Sequence, residues 1–259
     1  QCIWFSAGCT KSVRVYNATI LTIDQAKSAC KMNNLKENLN KIRSRVGLAC
    51  RTAGRDPAEV TVLAVSKRHP VDLVRQLHAL GQPSFGENYV QEALGKIGLT
   101  DDLDIEWHYI GPLQSNKTKD AAGHFDWVQS VDREKILSRL SAQRPDHLPP
   151  LNVCIQVNID REPQKSGVMP EDASGLVYLA SELPALKLRG LMCIPRAASD
   201  KHDPADSYAR MNELYRGLLS EGLNMDTLSM GMSADLEAAI SNGSTMVRIG
   251  TDLFGRRPS

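Results

Sequence analysis

Several features that would assign a chain to a special class are missing from this sequence. Its 259 residues carry 31 Lys and Arg against 30 Asp and Glu, a net charge of +1, and the two signs are interleaved. No basic face for nucleic-acid phosphates is therefore predicted. The sequence has neither an apolar run long enough for a membrane helix nor a basic segment followed by an apolar core, as in export signals. We expect a protein that binds neither nucleic acid nor membranes.

Motifs for redox or metal chemistry are also missing. No Cys-x-x-Cys or His-x-x-x-His spacing occurs among the six cysteines and six histidines, so no metal site is predicted. Cys154 and Cys193 lie in apolar, strand-like runs, where a buried free thiol is the usual state. This cysteine usage favours a reducing, cytoplasmic compartment.

What the sequence does contain is a regular alternation of strand-like and helical segments. After an amphipathic helical pattern at Leu35, Leu39, Ile42, Val46 and Ala49, strands are predicted over 60–66, 84–86, 105–110, 127–130, 152–159, 186–193, 227–230 and 246–249. Helices are predicted between them over 71–80, 89–97, 115–122, 133–143, 173–183, 205–219 and 235–241. About eight β/α units without a long linker predict an α/β protein with a single (β/α)8 barrel of the TIM type. A doubly wound open sheet is the alternative, because strand order cannot be read from the sequence.

The first residues differ from the rest of the chain. Residues 1–31 begin without a methionine, and the helical pattern starts directly after Met32. We therefore predict an N-terminal extension of uncertain origin over 1–31 and a barrel over 32–259. The stretch 13–23 is compatible with an added strand or an added helix.

One lysine stands at a chemically informative place. The run TVLAVSK (61–67) is apolar until it ends on Lys67, so Lys67 is expected at the carboxyl end of a buried parallel strand, where α/β proteins bind ligands. Apolar walls there would strip solvent from the amine and favour its nucleophilic form for Schiff-base chemistry. The alternative is an ordinary solvated lysine at a strand end.

The last two strands predict a phosphate site. Small residues and hydroxyls follow them, in LSMGMS (228–233) and RIGT (248–251), each before a helix start, and such turns expose backbone N–H groups to a phosphate. A lysine and a phosphate site on one rim match the two ends of pyridoxal 5'-phosphate (PLP). Arg248 would then face the ring nitrogen and leave it unprotonated; a strand-end ion pair is the alternative.

Eight segments together carry a resemblance to a known family. They are AVSK (64–67), FGENYVQE (85–92), WHYIGPLQSNK (107–117), QVNI (156–159), KSG (165–167), GLM (190–192), LSMGMS (228–233) and RIGT (248–251). In this order they resemble the pyridoxal phosphate homeostasis proteins, over roughly residues 32–257. The resemblance implies a barrel like the N-terminal domain of alanine racemase, the fold-type III barrel of PLP proteins without its C-terminal β domain.

The resemblance also implies residue roles. Lys67 would hold PLP as a covalent aldimine, and the other cofactor-binding positions would be Asn88 near the ring, Met230 on the wall, Arg248 on the ring nitrogen, and Ser233, Gly250 and Thr251 on the phosphate. Lys165 is implied to lie close enough to guide the cofactor, with a loop lysine as an equal alternative. Glu87, His108 and Asn116 are expected on the rim, and for His108 a hydrogen-bonded strand histidine is favoured over an acid/base catalyst.

The function implied is intracellular PLP homeostasis by a monomer that stores PLP, delivers it in transient contacts with apo-enzymes and limits the free aldehyde. Racemases of this fold need acid/base groups on both faces of the substrate, one of them from the extra domain, so we expect no turnover from a chain that stops at Ser259. The alternatives are a PLP-dependent amino-acid racemase or lyase, with His108, Tyr109 or Lys165 as second base, and a cofactor-free phosphosugar enzyme.

Overall fold

The structure, a computed structural model, describes residues 23–199 and 202–255. Eight strands follow one another along this part of the chain: β1 Thr61–Val65, β2 Ser84–Glu87, β3 Glu106–Tyr109, β4 Trp127–Val131, β5 Leu151–Val157, β6 Leu186–Cys193, β7 Thr227–Met232 and β8 Met246–Ile249. The α-helices are α1 Ile23–Thr52, α2 Val71–Ala79, α3 Val90–Gly98, α4 Thr118–His124, α5 Glu134–Gln143, α6 Ala173–Glu182, α7 Pro204–Ser220, α8 Leu236–Ser241 and α9 Thr251–Phe254. Every strand but the last is followed by a helix that returns the chain to the start of the next strand.

The eight strands form a closed parallel barrel in the order of the sequence. Closure is made by β8 against β1, where Leu63 lies opposite Arg248 and Ala64 opposite Ile249. The predicted (β/α)8 barrel is therefore confirmed, and the open doubly wound sheet is wrong. Closure also places the strand ends that carry Lys67 and Gly250 side by side.

Alternation along each strand divides the core into an outer and an inner layer. Outward side chains such as Ala64, Phe85 and Leu228 are fully buried in the main core with the helices. Inside the barrel, one apolar cluster contains Leu63, Val65, Ile110 and Met246, and another contains Trp127, Cys154 and Met192. Because both faces of the strands are covered, their sequences are nearly continuous apolar runs.

Two of the predicted helices differ from those observed. The helical pattern at Leu35, Leu39 and Ile42 is buried as expected, but α1 already begins at Ile23 and is continuous across the predicted boundary at residues 31 and 32. That boundary stays a prediction, and most of the stretch 13–23 lies outside the described residues. The predicted helix over 115–122 is a 3-10 turn, Ser115–Lys117, followed by α4.

Helix length and polarity are those of a barrel's outer layer. Within the residues that the structure describes, no helix combines the length and the apolar character needed to cross a bilayer.

Candidate functional site

A cavity of about 260 Å³ lies at the carboxyl ends of the strands. It brings together six of the predicted site residues, Lys67, Asn88, Ser233, Arg248, Gly250 and Thr251. These residues come from β1, β2, β7 and β8 or the turns that follow them. The strand ends on which the sequence placed these residues therefore form a single concave site.

The cavity combines apolar walls with cationic groups. Val65, Ile110 and Ile194 supply apolar wall, whereas Lys67 and Arg248 supply positive charge. Among the described residues, no carboxylate lines the cavity. Cations in a partly apolar cleft attract an anion more strongly than they would in open water. This lining suits a small anionic ligand with a flat apolar part.

The turn that carries Lys67 is held firmly on both sides. The His69 backbone N–H donates to the Ser66 carbonyl at 3.0 Å, and Arg68 has a left-handed backbone with φ of 63°. The His69 ring also stacks on Phe254 of α9, with 4.9 Å between ring centroids. The lysine turn is thus joined to the turn that follows β8.

A buried ion pair lies directly behind this turn. Lys96 Nζ on α3 donates to Glu87 Oε1 at 2.6 Å, to Glu92 Oε1 at 2.8 Å and to the Ser66 carbonyl at 2.7 Å. The Ser66 hydroxyl donates to the same Glu87 oxygen at 2.6 Å. Burial raises the pKa of Glu87, and the contacts with Lys96 and Ser66 oppose that shift. Lys96 therefore fastens the ends of β1 and β2 beside Lys67.

The phosphate side of the cavity is shaped by an irregularity in β7. The pairing of β7 with β8 shifts register between Ser229 and Met232. Gly231, which lies between them, has a φ of 96°, a backbone angle that residues with a side chain rarely adopt. The bulge brings Ser233 to the cavity wall, opposite the Gly250 and Thr251 turn. Because α9 starts at Thr251, its first backbone N–H groups have no partner within the helix.

Arg45 on α1 connects the two phosphate-side turns. Its guanidinium donates to the Ser233 carbonyl at 2.9 Å, to Asp252 Oδ2 at 2.8 Å and to both carboxylate oxygens of Glu237 at 2.8 and 2.9 Å. One side chain thus sets the separation between the turn after β7 and the turn after β8.

Arg248 lines the cavity although its side chain is almost wholly buried. Its Nη1 donates to Ser229 Oγ at 2.8 Å and its Nη2 to the Cys193 carbonyl at 2.7 Å. Burial lowers the pKa of the guanidinium, but an arginine starts high enough to stay charged near neutral pH. The side chain therefore presents a fixed positive donor to the cavity.

Asn88 offers a polar atom that suits a ligand. Its Oδ1 is buried without a hydrogen-bond partner among the described residues, and its side chain lines the cavity. Gly111 packs on the Asn88 backbone so closely that a Cβ would overlap the Asn88 carbonyl. A buried, unsatisfied amide oxygen is costly, so a ligand that donates to Asn88 would be favoured.

Five predicted residues do not line this cavity. Glu87 is fully buried behind the lysine turn, and Asn116 is exposed in the 3-10 turn Ser115–Lys117. The other three are Met230, Lys165 and His108.

Met230 is buried in the core between barrel and helices, whereas its neighbour Met232 lines the cavity. Lys165 Nζ donates to the Pro195 carbonyl at 2.8 Å and pairs with Glu162 at 2.6 Å. The Lys165 amine therefore contacts Pro195, the residue that follows the cavity-lining Ile194.

His108 lies inside the barrel in β3, fully buried. Its Nε2 is 3.0 Å from Glu106 Oε2, its Nδ1 is 2.8 Å from Gln129 Nε2, and its ring stacks on Trp127. Burial lowers the pKa of His108. This is the hydrogen-bonded strand histidine that the sequence favoured.

Three cavity-lining residues lie outside the motifs singled out from the sequence: His69, Ile194 and Ala234. Ala234 directly follows the predicted Ser233, so extending the motif LSMGMS (228–233) by one residue would have included it. His69 lies two positions beyond Lys67, and Ile194 directly follows β6. Both stand at strand ends, which was the signal available in the sequence.

Metal chemistry has no candidate in the described part of the chain. No group of three or more His, Cys, Asp or Glu side chains is placed there to hold a metal ion.

Comparison with known proteins gives consistent matches. A family model described as alanine racemase, N-terminal domain, matches residues 31–258. A pyridoxal phosphate homeostasis protein of Pseudomonas aeruginosa is 55% identical over 226 residues, covering 87% of this chain and 97% of that protein. The Escherichia coli K12 protein of the same name is 47% identical over 229 residues, covering 87% and 98%.

Solved structures match the same region. PipY of Synechococcus elongatus, solved with PLP bound, has a TM-score of 0.75 and 35% identity, covering 85% of this chain and 100% of that one. An alanine racemase of Clostridium difficile has a TM-score of 0.69 at 16% identity, covering 88% of this chain and 58% of that one. The second likeness concerns the fold alone.

Proposed function

Because this chain belongs to the pyridoxal phosphate homeostasis proteins, within the alanine racemase N-terminal domain family, we propose that it binds PLP and acts in PLP homeostasis. The observation that carries the proposal is the cavity itself, where Lys67, Arg248 and the turns after β7 and β8 meet. The PLP-bound structure of PipY, 35% identical, supports the same ligand.

We propose that Lys67 is the attachment point. The aldehyde of PLP forms a Schiff base with a lysine amine, and Lys67 is the lysine among the described residues that line the cavity. Ser233, Gly250 and Thr251 would hold the phosphate with hydroxyl and backbone donors, and Arg248 would face the ring nitrogen. Asn88 Oδ1, buried without a partner among the described residues, would accept a hydrogen bond from the cofactor.

Reversible binding fits the surroundings of the cavity. Ile194 and Met232, both in its lining, are 39% and 38% exposed. The cavity therefore reaches the protein surface, and the cofactor can enter and leave without unfolding. We propose that the protein stores PLP in the cytoplasm as a monomer, delivers it in transient contacts with apo-enzymes and limits free aldehyde.

The positions of the three residues considered as a second base argue against turnover as a racemase or lyase. His108, Tyr109 and Lys165 do not line the cavity. Tyr109 donates to the Pro112 carbonyl at 3.0 Å, and burial raises its pKa to about 12. His69, which does line the cavity, is stacked on Phe254. Binding is thus better supported than catalysis.

The test is spectroscopic and chemical. The protein incubated with PLP is expected to show a visible Schiff-base band, and borohydride followed by peptide mapping is expected to find the reduced cofactor on Lys67. Lys67→Arg keeps the charge but cannot form the Schiff base, so it is the matched control. An unchanged band in that variant would overturn the attachment point.

Turnover is tested separately. L- and D-amino acids incubated with the loaded protein in deuterated water are expected to show no catalytic exchange at Cα. Sustained exchange that disappears in His69→Gln would instead establish an enzyme and identify its base.

A further inference from the structure

A line of hydrogen bonds crosses the inside of the barrel, from Arg248 at the cavity to Glu106 at the amino end of β3. Arg248 Nη1 donates to Ser229 Oγ at 2.8 Å, and Ser229 Oγ donates to Gln129 Oε1 at 2.7 Å. Gln129 Nε2 lies 2.8 Å from His108 Nδ1, and His108 Nε2 lies 3.0 Å from Glu106 Oε2. These five residues are called the interior relay below.

The chemistry of its two ends sets the direction of every bond in the interior relay. Arg248 can only donate, so the Ser229 hydroxyl accepts from it and gives its own proton to the Gln129 oxygen. The Gln129 amide nitrogen then faces His108, whose Nδ1 must accept and whose Nε2 carries the ring proton. At the other end, an ionised Glu106 can only accept a hydrogen bond, which agrees with a proton on His108 Nε2.

Burial makes this arrangement hard to change. His108, Gln129 and Ser229 are fully buried and Arg248 is 4% exposed, so reversing one bond would leave a buried donor or acceptor unsatisfied. Trp127 Nε1 also donates to Glu106, at 2.7 Å. The carboxylate at the end of the relay is therefore held in place.

Resting on the proposed function, we propose that the interior relay orients the Arg248 guanidinium toward the ring nitrogen of PLP, which makes Ser229, Gln129 and His108 positioning residues for the cofactor. Because the Ser229 proton is committed to Gln129, Ser229 presents only lone pairs to Arg248. The Cys193 carbonyl takes a second donor at 2.7 Å. Two anchors fix the plane of the guanidinium, and the remaining N–H groups of its five are left for the cavity.

The orientation of Arg248 bears on the state of the cofactor. A guanidinium held against the ring nitrogen disfavours its protonation, because Arg does not give up a proton and two positive charges would meet. The pH dependence of the visible PLP band therefore reports how well Arg248 is placed. A side chain that only stabilises the fold would leave that pH profile unchanged.

The experiment compares Ser229→Ala with Ser244→Ala. Ser244 is also fully buried, and its Oγ donates to the Met230 carbonyl at 2.7 Å, outside the relay. In Ser229→Ala we expect about tenfold weaker PLP binding, the size of one buried hydrogen bond, and a shifted pH profile of the visible band. Ser244→Ala is expected to keep the parent's affinity and profile.

A second arm needs no cofactor. Nitrogen NMR of the apo-protein is expected to show His108 with a bare Nδ1 and a protonated Nε2 in the parent. Gln129→Glu places an acceptor opposite Nδ1, so His108 is expected to become protonated on both nitrogens. The other charged groups that act on His108 are Asp126 and Arg189, and neither is altered.

Three results would overturn the proposed role of the interior relay. A parent spectrum with a protonated Nδ1 would show that the relay runs the other way and would overturn the proposal. Parent-like affinity and pH profile in a folded Ser229→Ala would also overturn it, because the relay would then be only structural. A parent that binds no PLP would overturn the proposed function and the cofactor role of the relay together, while the apo-protein spectra would still establish the bond directions.

Discussion

At the residue scale, the turn that carries Lys67 is held in place by the buried charge of Lys96. Lys96 is 6% exposed and Glu87 is fully buried, and the salt bridge between them measures 2.6 Å. Two buried charges that are paired and hydrogen-bonded are tolerated, but one of them left alone is strongly unfavourable. The pair therefore makes the position of Ser66, next to Lys67, depend on a residue of α3.

Replacing Lys96 tests this dependence. Lys96→Met would leave Glu87 buried without its cation, and we expect it to lower the free energy of unfolding by about 3–5 kcal/mol. Chemical denaturation measures the loss. The double variant Lys96→Met/Glu87→Gln is the control, since it also removes the stranded charge and should regain a large part of the stability; equal losses in both would contradict the explanation.

The pH dependence of the Lys96→Met loss has a definite sign. Burial raises the pKa of Glu87 in the folded protein, and Lys96 opposes that rise. Without Lys96, the folded variant should therefore take up a proton at higher pH than the folded parent does. Proton uptake by the folded state stabilises it. The loss should therefore shrink as the pH is lowered toward the ordinary pKa of a glutamate, about 4.3, whereas a loss that grows on acidification would exclude Glu87 as its cause.

The sequence identified Lys67 and Arg248 but not Lys96 or Gln129, and the reason is physical. Strand-end residues are visible because a buried apolar run stops at them. Lys96 lies on an amphipathic helix, where a lysine normally faces solvent, and only the fold brings Glu87 beneath it. Gln129 lies beside Ser130 in the short strand β4, and its role depends on partners in two other strands, His108 in β3 and Ser229 in β7.

At the element scale, α1 does more than cover the barrel. Asn38 Nδ2 donates to the Leu253 carbonyl at 3.0 Å, and Arg45 reaches both Ser233 and Asp252. The helix therefore holds the two turns proposed to bind phosphate. Its contribution to PLP binding should depend on the phosphate group of the ligand.

Arg45→Met tests the role of α1. We expect it to weaken PLP binding by about tenfold, a loss of about 1.4 kcal/mol, because the spacing of the two turns relaxes. Binding of pyridoxal, which has the aldehyde but no phosphate, should change little, and absorbance titration with both ligands measures the ratio.

Arg43→Met on the same helix is the control for Arg45. Arg43 donates to the Gly81 carbonyl, at 2.7 Å, before β2, and does not line the cavity. It should keep the parent's preference for PLP over pyridoxal. Equal weakening of both ligands in Arg45→Met would show that the helix acts on the whole site and not on the phosphate turns.

Element boundaries were predicted best where burial and strand pairing end together. The predicted strand 152–159 continues two residues beyond β5, which ends at Val157. Asn158 and Ile159 remain buried after the strand, and the Asn158 side chain donates to the Glu162 carbonyl at 2.8 Å. Apolar character alone cannot distinguish a paired residue from one buried in a folded loop.

At the scale of the whole molecule, closure makes the eight strands mutually dependent. Each strand is paired on both sides, so the described barrel has no free edge strand. Cys154 in β5 and Cys193 in β6 are fully buried, and burial raises the pKa of both thiols to about 12. Neither can react as a thiolate until the barrel opens.

Alkylation of these two thiols should therefore report unfolding of the barrel. We expect Cys154 and Cys193 to be modified at the same slow rate. Peptide mass spectrometry at successive times measures the two rates. PLP at 100 times its dissociation constant should slow both about 100-fold, corresponding to about 2.7 kcal/mol of linkage. Different rates at the two sites would mean that β5 and β6 open separately from the rest.

The order of the strands also has a consequence for synthesis. Lys67 follows the first strand, whereas Arg248 and Gly250 belong to the eighth strand and the turn after it, yet β1 and β8 are neighbours. A ribosome that has made the lysine must add about 180 further residues before its partners exist, roughly ten to forty seconds at typical rates. A nascent chain therefore has no assembled site for the cofactor, which can be bound only by a chain whose last strand has left the ribosome.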